Sequence, residues 1–134
     1  MIEGTSIIFI NSKKQIILNL RDNKPTIPYP NCWDLLGGGI EPNETPEETI
    51  IREMKEEIEI DLNDFHHFKT YQFTDRTEYS FWKLVDFDLS ILPLNEGQKL
   101  QWFSKDDIEL MPEETVAYDA KKIISDFYRE KPYA

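Results

Sequence analysis

The chain has 134 residues, enough for one domain around a single core, and 40% of them are hydrophobic, an ordinary share for a globular fold. Its net charge of −11 and the lack of a basic stripe argue against a nucleic acid polymer as partner. No apolar run approaches membrane-spanning length, the N-terminus has no basic region ahead of its apolar stretch, and Cys32 is the single cysteine, so the expectation is a cytoplasmic protein with no membrane partner and no internal disulfide.

In chain order, residues 5–10 and 15–20 are apolar runs joined by Asn11-Ser12-Lys13-Lys14, which predicts a hairpin. Trp33-Asp34-Leu35-Leu36 predicts a further strand, and it runs into Gly37-Gly38-Gly39, where the chain can turn tightly and bring bare backbone close to a ligand. Thr45-Pro46-Glu47-Glu48 is a capping box with proline at the first helical position. The helix it starts carries an apolar stripe of Ile50, Ile51, Met54 and Ile58. Residues 65–73 and 79–87 flank a turn at 74–78 and predict a second hairpin. Residues 101–104 predict a short strand. The apolar face of Val116, Ala120, Ile123, Ile124, Phe127 and Tyr128 predicts a second helix over 115–129. Strands placed between two helices imply an α/β fold with a mixed sheet and a helix on each side.

The first helix carries the chemistry. Glu53, Glu56 and Glu57 stand at i, i+3 and i+4, hence on one face, where their charges repel. A hard divalent cation, Mg²⁺ or Mn²⁺, removes that conflict and in turn binds phosphate oxygens. The expected metal ligands are Glu53, Glu56 and Glu57 with a backbone carbonyl from Gly37 or Gly38.

Gly38, Glu44, Arg52, Glu53, Met54, Glu56, Glu57 and Ile60 match G-x5-E-x7-R-E-U-x-E-E-x-G-U, where U is bulky and aliphatic. The chain thus resembles the Nudix hydrolase family, and in particular its MutT-like triphosphate-cleaving members. One position departs: Glu59 stands where the signature has its second glycine. Either Glu59 takes the left-handed conformation at a cost of about 1 kcal/mol, or the helix runs on. Glu96-Gly97-Gln98 resembles the family's downstream acidic loop.

The resemblance implies an α/β/α sandwich formed by a single domain over 1–134. It implies Glu57 as the central ligand and Glu53 as a ligand or the residue that orients the attacking water. Glu96 is the candidate for a further ligand or general base. Arg52 is expected to orient the carboxylates and Glu44 to hold the loop around the helix start. Arg21 could reach phosphate, and one of Tyr29, Trp33, Phe81 and Trp82 could stack a nucleobase. His66 and His67 are adjacent in a strand, point to opposite faces and receive no role.

The activity implied is metal-dependent hydrolysis of a nucleoside diphosphate linked to a further group. A nucleoside triphosphate cut to monophosphate and pyrophosphate is the first expectation. A nucleotide sugar or ADP-ribose is the second. A domain that senses a nucleotide without cleaving it is the competing class, but the box acids such a module would lose are all retained.

Overall fold

The computed structural model describes residues 2–134. The described elements, in chain order, are β1 (Ile2–Ile10), β2 (Ile16–Leu20), β3 (Trp33–Asp34), β4 (Leu36–Gly39), α1 (Pro46–Ile58), β5 (His66–Gln72), β6 (Arg76–Leu84), β7 (Lys99–Phe103), α2 (Lys105–Leu110) and α3 (Ala120–Glu130), with a 3₁₀ turn at Glu113–Thr115. No helix among the described residues is long and apolar enough to cross a membrane.

Strand β1 is the axis of a mixed sheet. It runs parallel to β6 from Ile2 opposite Arg76 to Ile10 opposite Leu84. On its other edge β4 lies antiparallel, from Gly4 opposite Gly39 to Ile7 opposite Leu36. Strand β2 continues from β1 through the predicted hairpin, pairing Ile10 with Ile16, and carries β7 and the short β3. The turn is held by Asn11, whose side-chain oxygen accepts from the amides of Lys13 and Gln15.

Alternation along the strands divides the core into two layers. Ile7 and Phe9 of β1, Ile17 of β2 and Leu36 of β4 pack with Ile50, Met54 and Ile58 of α1. Their neighbours Ile8, Ile10, Ile16, Leu18 and Leu35 pack on the opposite face with Ile108 of α2 and Ile123, Ile124 and Phe127 of α3. The expected mixed sheet between helices is the fold, with one difference in the second helical layer.

That layer is two helices where one was expected. Val116 and Ala117 are in extended contact with Trp33, the Ala117 amide donating to the Trp33 carbonyl at 2.8 Å, so helix α3 starts only at Ala120. Helix α2 is opened by Ser104, which forms a capping box with Asp107. Strand β6 starts at Arg76, three residues before the expected position, because its register is set by β1 rather than by its own apolar run. In α1 the stripe narrows to Ile50, Met54 and Ile58, while Ile51 is exposed.

Candidate functional site

Helix α1 starts as its sequence dictates. The Thr45 hydroxyl accepts from the Glu48 amide at 3.1 Å, and the Glu48 carboxylate accepts from the Thr45 amide at 2.9 Å. It ends at Glu59 in the left-handed conformation, with φ 55° and ψ 39°, so the strained alternative is the one adopted. Docking of Ile50, Met54 and Ile58 on the sheet aims the neighbouring face at β4. Glu53 and Glu57 therefore look onto the glycine strand.

Glycine is required there. A Cβ on Gly38 would lie 2.2 Å from the carboxyl carbon of Glu53, and one on Gly37 would lie 2.1 Å from the Thr5 carbonyl oxygen. The Gly38 carbonyl accepts from the Thr5 hydroxyl at 2.9 Å.

Glu53, Glu57 and Glu96 converge so that an oxygen from each lies within 4.8 Å of the others. Glu57 is only 6% exposed, and its Oε2 is buried without a hydrogen-bond partner. Burial first, and then the charges of Glu53, Glu96 and Asp34, push its carboxyl up to about 9, against the pull of the Gly37 amide that donates to it. Glu53 is raised too, mainly by burial, with Arg52 acting against the rise.

Glu56, expected among the ligands, lies outside this group of three. It projects toward solvent, and its carboxylate accepts from Arg52 Nη1 at 3.2 Å. Arg52 is the hub of the helix start. It donates to Glu44 at 2.7 and 3.0 Å, to Glu53 at 2.9 Å and to the Gly39 carbonyl at 3.2 Å. Glu44, which also accepts from the Thr49 hydroxyl at 2.6 Å, is held down near 2, chiefly by Arg52. These contacts tie Glu44, Thr49, Arg52 and Glu53 into one network at the start of the helix.

Two cavities share the glycine strand as a wall. One, of about 300 Å³, contains Glu53, Glu57, Glu96 and Asn19. The other, of about 260 Å³, contains Arg76, Glu78, Tyr118 and Thr5. Arg21 and Asp34 line both.

The expected nucleobase contacts divide. Phe81 is 1% exposed and packs edge-on against Phe65 inside the α1 layer, so it cannot meet a ligand. Trp82 faces the α3 layer between His66 and Phe127, and it lines neither cavity. Strand alternation turns Phe81 into the core, which corrects its assignment, and leaves Trp82 half-buried on the opposite face of the sheet, away from both cavities. Trp33 packs against Phe103 at 4.8 Å and also lines neither cavity. Tyr29 packs against Tyr118, ring centroids 4.5 Å apart and planes tilted by 49°, and so backs the second cavity. Arg21 lies 3.7 Å from Asp34 and 5.5 Å from the Tyr118 ring.

Among the cavity residues missed from the sequence are Asp34, Arg76, Glu78 and Tyr118. Arg76 pairs with Glu78 at 2.7 Å and sits 5.1 Å from the Tyr118 ring. Asp34 is pushed up to about 7 by burial and then by Glu78, with Arg21 and the Leu35 amide opposing. An acid inside the apolar run ahead of the glycines was the signal for Asp34. For Arg76 and Glu78 the signal is the long-range pairing of β6 with β1, and for Tyr118 it is the contact of residues 116–117 with Trp33; no local pattern carries either.

The donor set suits a hard divalent cation. Three carboxylates meet, one has a buried oxygen with no partner, and the missing Gly38 side chain leaves Glu53 its place. The family model described as NUDIX domain matches residues 2–127. The chain is 30% identical to an ADP-ribose pyrophosphatase from Methanocaldococcus jannaschii over 91% of its own length and 70% of that protein's. Among solved structures, DR0079 from Deinococcus radiodurans superposes with a TM-score of 0.83 at 18% identity, over 96% of this chain and 83% of that one. The NUDIX domain of Shewanella oneidensis NrtR, solved with ADP ribose, gives 0.75 at 18% identity, over 96% and 86%. Fold, signature residues and family match agree: the chain belongs to the Nudix hydrolase family. Members of this family generally use a divalent metal.

Proposed function

We propose that the protein hydrolyses a phosphoanhydride bond in a nucleoside diphosphate linked to a further group, using Mg²⁺ or Mn²⁺ held by Glu53, Glu57 and Glu96. The observation that carries this reading is the convergence of those three carboxylates within 4.8 Å at a cavity wall made of bare glycine backbone. Glu56, on the rim beside Arg52, would be a further ligand. Of the two glycine carbonyls, Gly37 is favoured as backbone ligand, because that of Gly38 already serves the Thr5 hydroxyl.

A bound cation supplies neutralisation of the phosphate oxygens and acidifies a coordinated water. The protein supplies the rest. Arg52 holds the Glu53 carboxylate in one orientation. Glu53, so oriented at the cavity wall, can accept a proton from the attacking water. Glu96 approaches from the opposite side as a further ligand or base. The nucleoside lies in the second cavity against Tyr118, with Arg21 at the junction near phosphate.

The first substrate reading is a nucleoside triphosphate, and the similarity to the M. jannaschii ADP-ribose pyrophosphatase favours ADP-ribose as the second. A panel of ordinary and oxidised triphosphates, ADP-ribose, nucleotide sugars and dinucleoside polyphosphates, with Mg²⁺ and with EDTA, separates them by product mass. Metal-dependent cleavage of at least one member is expected. No cleavage of any, alongside tight binding of one, would replace the hydrolase with a nucleotide sensor.

A further inference from the structure

The loop that presents Glu96 is fastened on both sides, and the residue where the chain departs from the Nudix signature forms part of the fastening. On the helix side Asn95 makes three hydrogen bonds to the end of α1. Its backbone amide donates to the Glu57 carbonyl at 2.8 Å, and its side-chain amide donates to the Glu56 carbonyl at 2.9 Å and to Glu59 Oε2 at 3.1 Å. The last carbonyls of a helix lack partners within it, and Asn95 satisfies two of them. On the sheet side the buried Asn19 of β2 donates to the Glu96 carbonyl at 3.2 Å. Gly97 lies against that amide so closely that a Cβ would sit 2.3 Å from Asn19 Oδ1.

Glu96 is thus set between a residue docked on α1 and a residue packed on β2. Helix α1 also carries Glu53 and Glu57, so the Asn95 contact is the direct tie between Glu96 and the two acids it meets. A glycine at position 59 has no side chain to offer Asn95. The left-handed strain at Glu59 accompanies a contact that the signature residue cannot make.

We propose that Asn95 and Glu59 are positioning residues: Glu59 holds the Asn95 side chain on the end of α1, and Asn95 fixes the Glu96 carboxylate against Glu53 and Glu57. This rests on the metal-binding reading of Glu96 above. Glu59→Gly removes the carboxylate while restoring the residue that a left-handed cap prefers, so the variant folds.

The test is binding of Mn²⁺ alone, measured by calorimetry, together with melting of the metal-free protein. For Glu59→Gly and Asn95→Ala the expected result is Mn²⁺ binding weakened by roughly tenfold, the lower end of what residues that orient ligands contribute. The metal-free melting temperature of Glu59→Gly should stay near wild type. Glu59→Gln, which keeps an acceptor oxygen for Asn95, should bind Mn²⁺ like wild type. In a Glu96→Gln background, Glu59→Gly should add no further loss, because its effect runs through Glu96. Wild-type Mn²⁺ binding in Glu59→Gly and Asn95→Ala, or a full additional loss in the double variant, would overturn the proposal. If Glu96→Gln weakens binding and Glu59→Gly does not, the positioning role alone falls. If Glu96→Gln itself binds like wild type, the metal role of Glu96 falls and takes this inference with it.

Discussion

Gly38 and Glu53 occupy one space: the carboxyl group of the glutamate fills the volume in which any side chain at position 38 would begin. We expect Gly38→Ala to displace that carboxylate with little effect on the fold, because what yields is the tip of a side chain. A displacement of about 1 Å in a catalytic group costs on the order of 100-fold in rate. Turnover and melting of the variant, measured together, check this; near-normal turnover would place Glu53 outside the reaction.

Metal-dependent stabilisation should run through Glu57. Mg²⁺ binds the folded site and relieves repulsion among the acids, so it should raise the melting temperature of the wild type. Glu57→Gln, a near isostere without the charge, should lose most of that shift and most of the turnover. Glu56→Gln should lose less, because Glu56 faces solvent on Arg52. Equal metal-induced shifts in wild type and Glu57→Gln would mean that the ion binds elsewhere.

Without metal, stability should fall as pH rises. In the folded protein the Glu57 carboxyl sits at about 9, against 4.5 for an ordinary glutamate, and Asp34 at about 7 against 3.8. Between those limits the folded protein keeps protons that the unfolded chain has released, so the loss accrues from the ordinary values upward and levels off near pH 9. Glu44, held near 2, acts in the other sense and removes stability only as pH falls below 4.5. Denaturant melts in EDTA at pH 5, 7 and 9 should show the decline, and Glu57→Gln should flatten it. A slope unchanged in that variant would contradict the burial of an ionisable Glu57.

Tyr118 and Phe81 should separate binding from folding. Tyr118→Ala is expected to raise KM about tenfold with kcat nearly kept, the loss of one stacked base contact. Phe81→Ala should cost about 3–5 kcal/mol of stability, as deletion of a buried ring does, and lower the yield of folded protein. A KM effect at Phe81 without destabilisation would reverse the two assignments.

What could be read from the sequence was local. The capping box of α1 and the Glu53/Glu57 face follow from spacings of a few residues, whereas the Arg52–Glu44 pair, eight residues apart, emerges only in the fold. Spacing alone could not rank Glu56 against Glu57, since i+3 and i+4 both lie beside Glu53; the docking of α1 on β4 buries one and exposes the other. The aromatic strands gave rings in alternation without saying which side was core. Tyr118 was hidden because the chain around it is shaped by Trp33, distant in sequence, which holds residues 116–117 out of the helix their apolar period suggests.

The parallel register of β1 with β6 also sets an order of assembly. Ser6 and Ser80, joined across the two strands, are 74 residues apart, whereas β1 meets its chain neighbour β2 where Ile10 stands opposite Ile16. As the chain leaves the ribosome, Ile7-Ile8-Phe9-Ile10 is therefore made long before β6, which covers one edge of it. Closure of so large a loop is slow, and we expect refolding in milliseconds to seconds by stopped-flow fluorescence of the tryptophans. In that interval the first strand is the segment most open to association with other chains, so truncation before Arg76 should yield aggregates rather than a stable fragment.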